Sequence, residues 1–364
     1  MKCLRANGGF TLTEALVSGS LIAVVLAIVM GMTDQTERLM RGTSAKAEQF
    51  QDARVAFETM TRRLSHATLN NYLDFEYETV SQTVAQRTVH MKMPVRYERI
   101  AELRFRSGQM AELNGARGQT LHPTHGIFFQ APNGYATDVV KHEALDDLLN
   151  TWGYFVELNT DEEFLPNAVR GKVATKKRYR LMEASEPTEN LRVYQFQQPR
   201  SVEWFRPLMS GTQRAVRPLA DNIVALVLLP RLARLDEETQ RREGKSTMLS
   251  PNYNYDSTQS AKDPVLNTRH QLPPVVHVVM VAIDERSAAR LDRDFKSQAG
   301  MGLDYGALFQ DPEVLEDDPS TPAEGDGDLA KFTQMLNDRL NVCYRVFSTN
   351  VSLRGSKWSR NQEH

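Results

Sequence analysis

The feature that most constrains the fold of this chain is an uncharged run close to its N-terminus. Residues 15–33, ALVSGSLIAVVLAIVMGMT, are 19 consecutive positions without a charged side chain. A helix needs about 20 apolar residues, rising about 1.5 Å each, to cross a hydrocarbon core about 30 Å thick. The run therefore predicts a transmembrane helix over residues 10–32. Because Lys2 and Arg5 precede it, the positive-inside tendency predicts a single-pass protein of the inner (cytoplasmic) membrane with its C-terminal part in the periplasm.

An amphipathic segment follows the uncharged run. Within residues 50–67, FQDARVAFETMTRRLSHA, apolar residues recur at spacings of three and four. They are Phe50, Ala53, Phe57, Met60, Leu64 and Ala67. This spacing places them on one face of a helix. We therefore predict that the membrane helix continues as an amphipathic helix over residues 33–70.

Glu14 is an isolated acid at the start of the uncharged run. A carboxylate carried toward the centre of a bilayer costs about 2.5–3.5 kcal/mol on insertion scales. The plain alternative is that Glu14 lies at the level of the lipid headgroups and has no role. Acids inside membrane segments are usually functional, which favours a role for Glu14.

The stretch GGFTLTEALVSGSLIAVVLAIVM, residues 8–30, resembles the cleavage and methylation signal of type IV pilin-like proteins. The resemblance implies a leader peptide over residues 1–9, with Lys2 and Arg5 as its charges. It implies that prepilin peptidase cuts between Gly9 and Phe10 and that the new amino group of Phe10 is methylated. It further implies that Glu14 pairs with the amino terminus at Phe10 of a neighbouring subunit, because a paired charge is penalised far less than an unpaired one.

Gly31 stands where many major pilins have a proline, which argues for a minor subunit. The rest of the chain resembles J-type minor pseudopilins, W-type minor pilins and prepilin-type proteins of the Verru_Chthon cassette C kind. The resemblance is carried by LSHATLNNYLDFEYE (64–78), IAELRFRSG (100–108), HGIFFQAPNGY (125–135), WGYFVEL (152–158), RYRLMEASEPTENLRVYQF (178–196) and YRVFSTNVSLRGSKWS (344–359). It implies a structural subunit in, or at the tip of, a type II secretion or type IV pilus-like filament. Its partners would be other minor and major pseudopilins, bound through the N-terminal helix. The alternative is a membrane-anchored adhesin or substrate-recruiting module with the same anchor.

The exported part, residues 71–364, has the pattern of short strands. Candidate strands are 87–93, 101–106, 126–131, 152–158, 177–183, 191–197, 222–229, 275–283 and 342–353. The stretches NIVALVLLP and VVHVVMVAI are continuously apolar, which predicts central strands covered on both faces. Short helices are predicted over 142–150 and 328–340. The predicted fold class is α+β: a long N-terminal membrane-spanning and amphipathic helix packed on an antiparallel β-sheet head.

Two polar stretches of the exported part are predicted to be flexible insertions. Residues 234–270 mix charges with the sequence SPNYNYDSTQSAKDP. Residues 310–328 contain eight acids, three prolines and no base. A calcium site in the second stretch is the functional alternative, but the ligand spacing of an EF-hand loop is absent. A solvated loop is the favoured interpretation.

The remaining polar residues indicate no catalytic site. The formal net charge is −2, which gives no overall bias toward nucleic acid. We predict that His122 and His125 are surface-turn histidines and that His277 is a hydrogen-bonded core or edge residue. Cys343 is predicted to be a buried structural thiol. The tryptophans Trp152, Trp204 and Trp358 are predicted to be core or edge aromatics. We therefore expect no enzyme activity, metal or cofactor, and no nucleic-acid partner.

Overall fold

The structure is a computed structural model of the 364-residue chain. It describes residues 12, 13, 16–23, 25, 26, 29, 30, 32, 50–84, 87–115, 121–132, 134, 136–138, 140–142, 148–166, 168–194, 204–209, 214–244, 246–263, 265–295, 300–316 and 327–358. The chain divides into two compact units, residues 1–51 and 52–364.

In the first unit, the described positions between 12 and 32 are helical and exposed. No helix among the described residues is both long and apolar enough to cross a membrane. The predicted transmembrane helix over 10–32 is therefore wrong by this finding. So are the single-pass inner-membrane localisation and the fold class built on a long N-terminal membrane-spanning helix.

The second unit is rich in antiparallel sheet. Its strands are β1 (Tyr72–Val84), β2 (Arg87–Ile100), β3 (Arg106–Gln109), β4 (His125–Pro132), β5 (Leu149–Thr160), β6 (Lys177–Glu186), β7 (Val216–Asp221), β8 (Ile223–Arg231), β9 (Tyr255–Asp256), β10 (Val275–Ile283) and β11 (Tyr344–Ser352). Within the described residues these strands form three sheets, ordered β1-β2, β11-β10-β8 and β7-β6-β5-β4-β3-β9.

Helices and turns connect these strands. The α-helices are α1 (Gln51–Ser65), α2 (Met110–Leu113), α3 (Arg206–Met209), α4 (Arg234–Arg242), α5 (Glu285–Asp294) and α6 (Asp328–Gln334). A π-helical turn, Met335–Arg339, extends α6. Asp284 caps α5 by accepting a hydrogen bond from the backbone N–H of Ser287 at 3.1 Å, which satisfies a donor in its first turn.

The core lies between the three-stranded and the six-stranded sheets. β8 contacts β4, β5 and β6 of the larger sheet, so the two sheets pack face to face. Every residue of β8 is buried except Arg231, and every residue of β10 is buried except Val275. The prediction that both apolar strands are covered is therefore confirmed. β10 is central in its sheet, whereas β8 is at the edge.

Helix α1 covers part of this core with one face. The predicted apolar stripe is confirmed, because Ala53, Phe57, Met60 and Leu64 are all buried. The ring of Phe57 lies 5.7 Å from the ring of Phe347 on β11. The described helix has 15 residues, and residues 33–49 of the predicted amphipathic helix lie outside the described part of the chain.

Most of the predicted strands are found in the structure, and several predictions are wrong. Residues 101–105 form a loop before β3, and Arg192–Tyr194 form a 3₁₀-helix where a strand was predicted. The predicted helix over 142–150 is wrong at its end, because β5 begins at Leu149. The helix predicted over 328–340 is present as α6 and its π-helical extension. The sequence patterns missed β1, β7 and β9.

The segment 234–270 is packed more tightly than the predicted flexible insertion. Its Tyr253 and Tyr255 side chains are almost completely buried. β9 pairs with β3 and so extends the six-stranded sheet. Residues 317–326 of the second predicted insertion lie outside the described part of the chain.

Candidate functional site

The predicted N-terminal site residues cannot be placed in this structure. Gly9 and Phe10 at the predicted cleavage site, Glu14 of the predicted charge pair, and the leader charges Lys2 and Arg5 all lie outside the described residues.

A cluster of polar side chains around one buried carboxylate joins α1 to the six-stranded sheet. Glu183 of β6 has no exposed side-chain surface and pairs across the sheet with Tyr154 of β5 and Arg217 of β7. Tyr154 Oη donates a hydrogen bond to Glu183 Oε2 at 3.0 Å, and Arg217 Nε donates to Glu183 Oε1 at 2.8 Å. Arg63, at the C-terminal end of α1, completes the cluster with an ion pair to Glu183 Oε2. We call these four residues the Glu183 cluster.

Arg63 has further contacts that fix its position. Its Nη1 donates to Tyr154 Oη at 3.1 Å, and its guanidinium lies 4.0 Å from the centre of the Trp152 ring. A cation over an indole face is attractive. Arg63 also stands in the last turn of α1, where positive charge is favoured by the helix dipole. The arginine therefore fixes both the rotation and the end of the helix against the sheet.

The electrostatics of the Glu183 cluster indicate a structural role. Burial is the largest influence on Arg63 and acts to lower its pKa, but contacts with Tyr154 and Glu183 outweigh it and raise the pKa overall. Burial, and then the charge of Glu183, raises the pKa of Tyr154. Arg63 is therefore charged and Tyr154 is a neutral hydroxyl donor at neutral pH. Both carboxylate oxygens of Glu183 accept hydrogen bonds from these neighbours.

His125 lies in the core and not in a surface turn, so that prediction is wrong. It is fully buried at the start of β4, where its Nδ1 accepts from the backbone N–H of Leu228 at 3.0 Å. Its Nε2 lies 3.0 Å from the backbone oxygen of Phe309, which fixes the neutral tautomer with the proton on Nε2. Burial lowers the pKa of His125 to about 4, although the bond to Phe309 favours the charged form. The side chain therefore connects the two sheets while uncharged.

His122 is also buried and not a surface-turn residue. It is 9% exposed, and its ring lies 5.5 Å from the ring of Phe155. Burial lowers the pKa of His122 more than the nearby Glu157 raises it. Among the described residues no three His, Cys, Asp or Glu side chains are grouped as a metal site would require. His122 and His125 are therefore core side chains in this fold.

His277 lies at the wall of a cleft beside β8. The prediction of a hydrogen-bonded core or edge histidine is confirmed, because His277 is 6% exposed and its Nδ1 lies 2.8 Å from Asn350 Oδ1. Its Nε2 lies 3.2 Å from Glu316 Oε1. The cleft has a volume of about 380 Å³, within the range of about 300–1,000 Å³ found for small-ligand pockets. Its other walls include Leu229, Arg231, Arg241, Met248 and Leu249.

The cysteine and the three tryptophans considered in the sequence divide between core and surface. Cys343 is exposed, so the predicted buried thiol is wrong; it lies between a buried Val342 and β11 in a connecting segment. Trp152 and Trp204 are buried, as predicted for core aromatics. Trp358 is half-buried near the end of the described chain.

Sequence reasoning missed the Glu183 cluster entirely. A partial signal was present in the alternation of β6, where Arg178, Arg180 and Glu183 interrupt apolar residues. The partners of Glu183 come from α1, β5 and β7, and no local pattern joins those segments.

Comparison of the chain with protein-family models, curated proteins and solved structures finds no match.

Proposed function

We propose that this chain is a minor structural subunit of the prepilin type, assembled into or at the tip of a type II secretion or type IV pilus-like filament. The observation that carries the proposal is the sequence GGFTLTE at residues 8–14, with its glycine, phenylalanine and acid at the spacing of a prepilin signal. Prepilin peptidase would cut it after Gly9, and Glu14 would pair with the amino group of Phe10 in a neighbouring copy or related subunit.

The packing of α1 supports this role. A subunit held in a filament through its N-terminal part must pass mechanical load from that part to its head. In this chain α1 is joined to the head by its buried stripe and by the ion pair of Arg63 with Glu183. Buried ion pairs are weak sources of net stability, but breaking one leaves a costly uncompensated charge. The pair therefore resists separation of α1 from the sheet.

Co-expression with a prepilin peptidase tests the proposal. We expect the intact mass of the wild-type chain to fall by the mass of residues 1–9. We also expect it to rise by the mass of one methyl group, added to the new amino terminus at Phe10. Gly9→Leu should abolish both changes, because the enlarged side chain occupies the position before the cut bond. Gly31→Ala is the matched control, since it also changes one glycine of the same segment but leaves the cut position intact. A wild-type chain that keeps residues 1–9 would refute the proposal.

A binding head is the second candidate function, and the His277 cleft favours it. The cleft is of small-ligand size and combines apolar walls with His277, Arg231 and Glu316. Such a combination is common in recognition sites. Met248→Trp, which fills the cleft from one wall, should abolish ligand or substrate recruitment and leave filament incorporation unchanged. Loss of incorporation without loss of recruitment would reject this second function.

A further inference from the structure

Strands β1 and β2 form a long two-stranded ribbon. Among the described residues the two strands pair only with each other, over 13 and 14 residues. The ribbon carries an unusual number of exposed large apolar side chains. They are Tyr72, Leu73, Phe75, Tyr77, Val80, Val89, Met91, Met93, Val95 and Tyr97. An isolated two-stranded ribbon is marginally stable in water and exposes strand edges, which favours a covering partner.

The two rows of side chains on β1 differ in chemistry over residues 73–78. On one face the Phe75 ring lies 4.3 Å from the ring of Tyr97 and 6.3 Å from the ring of Tyr77. On the other face β1 presents the acids Asp74, Glu76 and Glu78, because side chains alternate between faces along a strand. β1 therefore has an apolar row and an acidic row.

The acidic row is only partly neutralised by the ribbon itself. Arg96 of β2 stands opposite Glu76 and forms an ion pair with it. Glu78 stands opposite Met93, and Asp74 stands opposite Glu98, whose charge is already paired with Arg269 at 2.7 Å. Like charges directly opposite one another are destabilising in a sheet. Arg96 and Arg269 compensate the charges of Glu76 and Glu98. In the described part of the chain, Asp74 and Glu78 are the acids of β1 for which the structure shows no ion pair, and a cation from the outer side of β1 would find its partners there.

The outer edges of the two strands are unequal. β2 has Pro94, which lacks a backbone donor, and a bulge at Val95 that shifts the register between Glu76 and Tyr77. Proline and bulges protect a sheet edge from further pairing. β1 has no proline over its whole length. The β1 edge is therefore the one open to another strand.

We propose that the outer edge of β1 binds an extended polypeptide segment in which apolar residues alternate with lysine or arginine. Its backbone would pair with β1 and extend the ribbon to a third strand. Its apolar side chains would lie beside Leu73, Phe75 and Tyr77, and its basic side chains beside Asp74 and Glu78. A second copy fits poorly, since an antiparallel twofold pair of β1 edges would bring two acidic rows together. The inference goes beyond the proposed function and stands on the ribbon alone.

Binding of labelled synthetic peptides to the full chain tests this inference. A short peptide of alternating valine and lysine should bind at least about tenfold tighter than its valine–glutamate counterpart. Each lysine opposite an acid of β1 adds to the affinity, whereas each glutamate there reduces it. The same lysine peptide with N-methyl groups on alternate backbone nitrogens should lose binding, since its strand donors are removed. Amide infrared spectra of an isotope-labelled peptide should show strand formation on binding.

Charge reversal of the β1 edge provides the matched protein variants. The pair Asp74→Lys and Glu78→Lys, which leaves the Glu76–Arg96 ion pair intact, should reverse the preference in favour of the glutamate peptide. The pair Glu162→Lys and Asp338→Lys makes the same change in net charge at exposed positions away from the ribbon and should leave the preference unchanged. Four results would each overturn the inference. They are equal binding of the two peptides, binding of neither, undiminished binding of the N-methylated peptide, and dimerisation through β1. None of these results bears on cleavage after Gly9, so failure here is distinguishable from failure of the proposed function.

Discussion

Arg63 and Glu183 lie 120 positions apart in the sequence and form an ion pair in which the carboxylate is completely buried. This one contact joins the last turn of α1 to β6, the strand next to the edge strand β7 of the six-stranded sheet. Since Glu183 also accepts hydrogen bonds from Tyr154 and Arg217, its charge is compensated by three neighbours. Removing any one of these neighbours leaves the buried carboxylate less well compensated and so lowers the stability of the fold.

Arg63→Met should lower the free energy of unfolding by about 1–3 kcal/mol, because the buried Glu183 carboxylate loses one of its three partners and keeps Tyr154 and Arg217. The double variant Arg63→Met with Glu183→Leu should recover much of this loss, since it removes the buried charge as well. Urea denaturation followed by circular dichroism measures both. Arg62→Met is the matched control: Arg62 is exposed, and its change should stay within about 0.5 kcal/mol. An equal effect of the two arginines would contradict this account.

The buried stripe of α1 makes a second prediction. Met60 is completely buried, so Met60→Ala should lower the free energy of unfolding by about 2–5 kcal/mol through lost burial and a residual cavity. Val55 stands on the same helix and is 56% exposed. Val55→Ala therefore serves as the control and should change stability by less than about 0.5 kcal/mol. A large effect at Val55 would mean that another surface covers the outer face of α1.

The burial of His125 gives the chain a pH-dependent stability. In the unfolded chain a histidine has a pKa of about 6.5, whereas burial lowers the pKa of His125 to about 4 in the folded state. Between these values the unfolded state binds a proton that the folded state does not. The contribution of His125 to the free energy of unfolding is therefore complete above about pH 6.5. It is lost as the pH falls toward about 4, by about 3 kcal/mol in total.

His125→Gln tests this pH dependence directly. The glutamine amide can still donate to the Phe309 oxygen and accept from the Leu228 N–H, but it does not titrate in this range. We expect the wild-type free energy of unfolding to fall more steeply than that of the variant between pH 6.5 and pH 4. Because other titrating groups contribute equally to both proteins, the difference between the two curves isolates His125. Parallel curves would show that the histidine is not held neutral.

The sequence predicted the elements whose signal is local, and it missed what depends on distant contacts. β10 is a continuous apolar run and the stripe of α1 is an apolar pattern of helical period, and both are found where they were expected. The burial of His125 depends on Leu228 and Phe309, which lie 103 and 184 positions away. No spacing near His125 records those contacts. β1 was missed even though DFEYE alternates acids with aromatics, because neither of its faces is buried in a core.

The predicted N-terminal helix shows a different kind of failure. Nineteen uncharged residues are a strong compositional signal. Structural placement of a spanning helix also needs a long unbroken helix, and the described residues provide none.

The close approach of β4 and β5 at Gly153 makes the last prediction. Gly153 stands opposite Phe128 across the two strands, and a Cβ atom at Gly153 would lie 2.4 Å from Phe128 Cδ1. The Phe128 ring cannot retreat easily, because it is stacked on the Phe205 ring at 4.1 Å. Gly153→Ala should therefore lower the free energy of unfolding by about 1–3 kcal/mol through overpacking. The double variant Phe128→Leu with Gly153→Ala should be less destabilised than the sum of its two single changes, as measured by a double-mutant cycle in urea. If the effects of the two changes on the free energy of unfolding simply add, the destabilisation by Gly153→Ala does not arise from its contact with Phe128.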